Sequence, residues 1–265
     1  MVIKGVSKQT GTNCVLFRVQ ELTPELEEAV RSQLAAICYG DYQSKMRGAT
    51  YQKTVVDFVR RYEAIVKNRD SMRVGMLGEL LGHVLIRQLH SELRPSSIIL
   101  NKEEYQIKKG FDANFYKDSE YWFGEVKSGE LNGKDINEKN KGLLYDAKAD
   151  VQDKILDHER APIWDSAKMD ALLTFEPRKH KTILEQIEQN REVAERTSTV
   201  KFNNAVLISV PFGDVSAHNV NIGDIEAYAK KQLKNFSKCI VITIQKSTVS
   251  KLEEFIRKEA LTYVS

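Results

Sequence analysis

An aromatic-rich stretch in the middle of the chain, residues 110–127, constrains the fold more than any other segment. Two strand-like runs rich in aromatic residues flank the polar tetrapeptide at residues 117–120, a pattern that is typical of a β-hairpin. Asp112 lies near the start of the first predicted strand, and Glu125 and Lys127 lie at the end of the second. An antiparallel hairpin therefore brings these three side chains together.

Side chains along a strand alternate between its two faces, so Glu125 and Lys127 share one face and Val126 points to the other. Two carboxylates beside a lysine favour a site for a hard divalent cation such as Mg²⁺, which prefers oxygen ligands and keeps waters for a phosphate. The alternative is an ordinary ion pair, because Glu-x-Lys is common in solvated strands. The apolar flanks and the register of Asp112 favour the metal site.

A predicted helix at residues 71–93 precedes the hairpin and contains Gly75, Gly78 and Gly82. Glycines cost helix stability, so we expect them to allow close packing of the helix against a sheet. Glu79 lies among these glycines, and close packing would let its carboxylate reach a site on the sheet. The alternative is a surface glutamate on a helix weakened by glycine.

The remaining patterns predict an α/β protein. Predicted strands cover 13–20, 97–100, 204–211 and 239–244, and predicted helices cover 52–68, 142–158, 161–198 and 249–263, with further helices after Thr23 and at Gly223. Polar residues 128–141 are predicted to form a loop at the mouth of the site. The charged region 161–200 suggests no function.

Composition excludes several classes of protein. With 265 residues, 42% of them apolar and 29% charged, the chain is an ordinary globular protein, and its formal charge of +3 does not by itself indicate nucleic-acid binding. No apolar run has the length of a membrane span, and no secretory signal core follows Met1, so we expect no membrane contact. Cys14, Cys38 and Cys239 are far apart, which favours reduced thiols in the cytoplasm.

The order of the motifs resembles the core of the PD-(D/E)xK, or restriction-endonuclease-like, nuclease superfamily. The residues that carry the resemblance are Glu79, Gly110-x-Asp112 and Glu125-Val126-Lys127, and the order of elements extends it to about residue 211. The chain departs from the pattern because no proline precedes Asp112. Within the superfamily it resembles the HamA family, the nuclease subunits of Hachiman anti-phage defence, in its length and in the Gly-Glu-Leu-Leu helix before the hairpin.

The resemblance implies a role for each of these residues. Asp112, Glu125 and the backbone carbonyl of Val126 would bind Mg²⁺, with Mn²⁺ as a substitute, and Glu79 would help to hold the metal or its water. Lys127 would orient the attacking water or stabilise the charged phosphorane. The implied partners are DNA and a helicase subunit similar to HamB.

The resemblance also implies a restriction-endonuclease-like core, a central mixed sheet flanked by helices, with an N-terminal helical elaboration. We expect a strand and helical elaboration in residues 1–70 and a nuclease-like domain in residues 71–265, packed as one unit.

Two alternatives remain open at this stage. The first is a repair, recombination or RNA nuclease of the same superfamily, because metal-assisted attack on phosphate is common to all of them. The second is a non-catalytic subunit with a nuclease-like fold that binds another protein. A nucleotide-dependent enzyme is disfavoured, since the sequence has no Gly-x-x-x-x-Gly-Lys-Ser/Thr loop and no Gly-x-Gly-x-x-Gly after a strand.

Overall fold

A computed structural model describes residues 3–67, 69–100, 110–157, 161–247 and 249–263, and in it helices cover both faces of a seven-stranded sheet. The strands are β1 (Val6–Gly11), β2 (Cys14–Val19), β3 (Arg94–Pro95), β4 (Phe115–Lys117), β5 (Glu120–Glu130), β6 (Asn204–Phe212) and β7 (Lys238–Lys246). The helices are α1 (Pro24–Tyr39), α2 (Asp41–Met46), α3 (Tyr51–Val66), α4 (Asp70–Leu89), α5 (Ile136–Leu156), α6 (Ala161–Thr174), α7 (Pro177–Thr197), α8 (Ile222–Gln232) and α9 (Ser250–Thr262). The predicted α/β fold with a central mixed sheet is confirmed.

The sheet has the strand order β1-β2-β7-β6-β5-β4-β3. The central strands β2, β7, β6 and β5 run parallel, whereas β1 and β4 are antiparallel to their neighbours. Every residue of β6 is buried, as predicted for an apolar strand that is covered on both faces. The ladder between β4 and β5 ends at Trp122, so the rest of β5 lies beyond the reach of β4.

The N-terminal part of the chain contributes to the same sheet. Cys14 of β2 pairs with Val241 of β7, and the parallel ladder continues along both strands. Helix α1 begins as predicted after Thr23, whose side-chain oxygen accepts a hydrogen bond from the Leu26 N–H at 3.3 Å. The division into residues 1–70 and 71–265 stays a prediction, but the two parts share one sheet.

Alternation along β5 separates two hydrophobic clusters, one on each face of the sheet. Trp122 and Val126 pack with residues of α1, α3, α4 and α9, whereas Phe123 packs with residues of α5, α6, α7 and α8. Glu125 and Lys127 follow Phe123 in the alternation and therefore face α5, as the period of two predicted.

The predicted strand at 97–100 is wrong. In the part of the chain that the structure describes, β3 ends at Pro95 and no strand covers 97–100, and the Ile99 N–H donates a hydrogen bond to the Ile37 carbonyl at the end of α1, at 3.0 Å. The backbone leaves the ladder here because its donor is satisfied by a helix, while Ile98 and Leu100 remain buried.

The predicted loop at 128–141 is also too long. Strand β5 continues to Glu130, and α5 begins at Ile136 because the Asp135 carboxylate accepts hydrogen bonds from the N–H groups of Asn137 and Glu138. The true loop is limited to residues 131–135. Helix α5 is therefore longer at its N-terminal end than the predicted helix at 142–158.

All three cysteines are buried and free, as their spacing predicted. In the ranges that the structure covers, we find no helix with both the length and the apolar character needed to cross a membrane.

Candidate active site

The central hairpin forms as predicted, but its first strand is shorter than predicted: β4 covers Phe115–Lys117, so Asp112 lies before the strand and not near its start. Phe115 pairs with Trp122 and Tyr116 with Tyr121 in an antiparallel ladder. The two residues at the turn, Asp118 and Ser119, have φ values of 51° and 62°. A two-residue turn in which both residues have positive φ matches the right-handed twist of the strands.

The first arm of the hairpin approaches β5 very closely at Gly124. The Ala113 N–H donates a hydrogen bond to the Gly124 carbonyl at 3.2 Å, although Asp112 and Ala113 precede β4. A Cβ atom on Gly124 would lie 2.2 Å from the Ala113 carbonyl oxygen, so only glycine fits at this position. This contact places Asp112 beside Glu125.

Hydrogen bonds from the backbone N–H groups of Asp112 and Val126 hold the carboxylates of Glu125 and Asp112 side by side. The Asp112 N–H donates to Glu125 Oε1, and the Val126 N–H donates to Asp112 Oδ2, both at 3.3 Å. Glu125 is fully buried, and its Oε2 atom has no hydrogen-bond partner among the described residues. Because an unpaired buried carboxylate oxygen is costly, this atom is suited to a further ligand.

Burial, followed by the negative charge of Asp112, raises the pKa of Glu125 well above its ordinary value, and Lys154 opposes that rise. Burial alone would lower the pKa of Lys127, but its hydrogen bond to Asp150 and the carboxylates of Asp112 and Glu125 raise it overall. Lys127 is therefore an ammonium cation at neutral pH.

Helix α5 supplies two charged residues that the sequence analysis did not identify. Lys127 forms an ion pair with Asp150, and the Lys154 Nζ lies 2.5 Å from Glu125 Oε1 and 3.8 Å from Asp112 Oδ1. Asp150 and Lys154 are one helical turn apart and so face the same way. This acid–lysine spacing on the helix after the hairpin was the available signal, but it is common on solvated helices.

The structure places Glu79 on a helix that packs against the opposite face of β5. Helix α4 lies close to the sheet at Gly78, where a Cβ atom would be 2.5 Å from the Ser128 Cβ, as the glycines predicted. Glu79 Oε1 lies 3.9 Å from His83 Nε2. Within the described contacts, Asp112, Glu125 and Lys127 come together without Glu79, whose role at the metal stays a prediction.

The donor set fits a small hard cation, although it is sparse. In the described part of the chain, no three or more histidine, cysteine or acidic side chains come together in a metal-binding group. The observed pair of carboxylates would have to be completed by backbone oxygen, such as the Val126 carbonyl, and by water. The unpaired Oε2 of Glu125 supports this assignment.

These features define an α/β protein whose central hairpin carries a buried carboxylate–lysine cluster. The family model of HamA matches residues 3–260, so the chain belongs to the HamA family. Membership of this family identifies the chain as a component of Hachiman anti-phage defence. No curated protein matches the chain.

Proposed function

We propose that this chain is a metal-dependent DNA nuclease of the PD-(D/E)xK type and the effector of its defence complex. The observation that carries the proposal is the carboxylate of Glu125, which is fully buried and has one oxygen without a hydrogen-bond partner among the described residues. It lies beside Asp112 and on the same face of β5 as Lys127. Buried ionisable groups with strongly perturbed pKa values cluster at functional sites. Hydrolysis of a phosphodiester matches this combination of carboxylates and cation.

Asp112, Glu125 and the Val126 carbonyl would hold Mg²⁺ or Mn²⁺, and Glu79 would contribute if α4 brings it within reach. The bound metal supplies a water that ionises near neutral pH and a positive charge for the phosphate. The chain's own part is to fix the carboxylates, through the hydrogen bonds from the N–H groups of Asp112 and Val126, and to exclude water around Glu125.

Lys127 acts as a cation rather than as a proton acceptor. Because its pKa is raised by Asp150 and the neighbouring carboxylates, it keeps its proton through neutral pH. A fixed ammonium group stabilises the negative charge that develops on a phosphorane, and it can orient the attacking water by donating a hydrogen bond. It does not remove a proton from that water.

The partner is inferred from the family. Hachiman membership supports a complex in which a helicase similar to HamB restrains the nuclease and releases it on foreign or damaged DNA. The chain has no phosphate-binding glycine loop of its own, so the helicase would use the ATP.

The test is cleavage of plasmid and linear DNA, and of RNA, in Mg²⁺ or Mn²⁺, by the chain alone and with the co-encoded helicase and ATP. Asp112→Asn removes a metal-ligand charge but keeps an oxygen that accepts from the Val126 N–H. We expect it to reduce DNA cleavage by about a hundredfold or more. The control Asp146→Asn alters an exposed carboxylate on α5 and should cleave like the wild type.

Cleavage of RNA but not of DNA would contradict the choice of substrate, and equal activity of the Asp112→Asn variant would contradict the site. Activity that requires the helicase and ATP would support the restrained effector. Activity of the chain alone at the full rate would contradict restraint by the partner.

A second candidate function is a non-catalytic scaffold, and one observation favours it. The ion pairs of Lys127 with Asp150 and of Lys154 with Glu125 offset most of the negative charge of the cluster without a metal. A ligand that binds the native state raises its stability. A melting temperature that does not change on addition of millimolar Mg²⁺ or Mn²⁺ would therefore favour the scaffold. A metal-dependent rise would favour the nuclease.

A further inference from the structure

Lys154 bridges the two carboxylates of the candidate metal site. Its Nζ lies 2.5 Å from Glu125 Oε1 and 3.8 Å from Asp112 Oδ1. The Lys154 side chain is 17% exposed and that of Glu125 is fully buried. A buried carboxylate needs a paired cation, so the ammonium group of Lys154 stabilises this arrangement when no metal is bound.

A divalent cation would share these two carboxylates with the ammonium group. Bound by the unpaired Glu125 Oε2 and by Asp112, it would stand about 2.0–2.6 Å from each ligand oxygen. The ammonium group, 2.5 Å from the other Glu125 oxygen, would then lie within repulsive range of a doubly charged ion. The two cations therefore compete for the carboxylates.

We propose that Lys154 is a built-in counter-cation that competes with the divalent metal for Asp112 and Glu125 and leaves them when the metal binds. The inference rests on the proposed function, because it takes these carboxylates as the metal site. It adds a residue from α5 whose role is to hold the metal-free site and to set the affinity for the metal.

Asp150 is a carboxylate with which the displaced ammonium group of Lys154 could form a new ion pair. It lies one turn before Lys154 on α5, in the order that favours an acid–lysine pair on a helix. Asp150 is paired with Lys127 in the metal-free site. Transfer of Lys154 to Asp150 would release Lys127 toward the phosphate, so metal binding and the availability of Lys127 are coupled.

Removal of the positive charge at residue 154 should tighten metal binding. When a neighbouring positive charge is removed, the carboxylates bind both protons and metal ions more tightly. The gain in binding free energy is about twice as large for a doubly charged ion as for a competing proton, because the Coulomb energy is proportional to the charge. We therefore expect Lys154→Met to bind Mn²⁺ about tenfold more tightly than the wild type.

The experiment compares the wild type, Lys154→Met and the control Lys148→Met by Mn²⁺ titration calorimetry and by melting temperature in EDTA and in Mn²⁺ at pH 8. Lys148 lies on the same helix, but its Nζ contacts the Tyr145 ring, 5.3 Å from the centroid. In EDTA, Lys154→Met should have a lower melting temperature than the wild type, because Glu125 loses its counter-ion. Addition of Mn²⁺ should raise the melting temperature of Lys154→Met by more than that of the wild type. Lys148→Met should behave as the wild type does.

Further variants keep the inference open to refutation. Lys154→Gln replaces the methionine variant if that variant does not fold, with the same expected result. Lys154→Arg keeps the positive charge and should bind Mn²⁺ less tightly than the uncharged variants. Equal or weaker Mn²⁺ binding by the uncharged variants, with binding by the wild type intact, overturns this inference and leaves the nuclease proposal standing. Absence of Mn²⁺ binding in every variant overturns both.

Discussion

Glu125 is central to the site, because its surroundings act in opposite directions on its protonation. Burial and the nearby Asp112 favour its protonated form, whereas Lys154 and any bound metal favour its ionised form. A fully buried carboxylate in the middle of a sheet lowers stability. Its energetic cost therefore depends on pH and on the cation that accompanies it.

Replacement of Glu125 by glutamine should reveal this cost as a change in stability with pH. In the unfolded chain a glutamate ionises near pH 4.3, whereas Glu125 in the folded protein keeps its proton to a higher pH. The wild type therefore loses stability as the pH rises from about 4 to the folded pKa, and the glutamine variant does not.

Urea unfolding in EDTA at several pH values measures the difference. The stability of Glu125→Gln relative to the wild type should increase from pH 4 to pH 7. A difference that stays constant, or that decreases, would show that the pKa of Glu125 is not raised by folding.

At the scale of elements, the hairpin could be predicted because its signals are local. The alternation of the two aromatic runs and the polar turn between them are close together in sequence, and the structure confirms the pairing. The contribution of α5 could not be predicted in this way. Asp150 and Lys154 reach the site only because α5 folds back over β5, and the acid–lysine spacing alone is typical of a solvated helix.

The errors of prediction also have physical causes. The strand expected at 97–100 has strand-like apolar residues, but its Ile99 N–H is satisfied by α1, which the sequence pattern does not show. Helix α2, at Asp41–Met46, is not among the predicted helices, because it is short and has one buried residue, Ser44.

Gly124 should not tolerate a side chain. In Gly124→Ala the new Cβ would collide with the Ala113 carbonyl oxygen and push Asp112 away from Glu125. We therefore expect the free energy of unfolding to decrease by about 1–3 kcal/mol and Mn²⁺ binding to weaken by a similar amount. The control is Gly75→Ala on α4, where the added Cβ would meet no described atom within 4 Å apart from its own helix backbone and chain neighbours.

Gly75→Ala should leave stability unchanged or raise it by up to about 1 kcal/mol, since alanine favours helix. Thermal and urea unfolding of both variants check the pair. Equal stability of Gly124→Ala and the wild type would contradict the close approach of the two arms.

At the scale of the molecule, helix α9 joins helices α3 and α4 through hydrogen bonds to one carboxylate. The Glu253 carboxylate accepts hydrogen bonds from the Tyr62 hydroxyl on α3 at 2.9 Å and from Arg73 on α4 at 3.0 Å. It also accepts from Arg257, one turn further along α9, at 3.1 Å. With β2 paired to β7, this network predicts that the parts before and after residue 70 unfold together.

Glu253→Ala should lower the free energy of unfolding by about 3 kcal/mol, because it leaves two arginines and a tyrosine without their shared acceptor. The neighbouring Glu254 is exposed, and Glu254→Ala should change stability by less than about 0.5 kcal/mol. Urea unfolding followed by fluorescence measures both. Two separate transitions in the wild type would contradict a single cooperative unit.

The central claim is that the cluster on the hairpin cleaves DNA with a metal. The most direct measurement is Mn²⁺-dependent DNA cleavage, with the helicase and ATP present, by Lys127→Met and Lys148→Met. Each variant replaces one lysine by an uncharged side chain of similar length, but only Lys127 pairs with Asp150 at the site. We predict that Lys127→Met loses about a hundredfold or more in rate and that Lys148→Met cleaves like the wild type. Equal cleavage by the two variants would contradict the account.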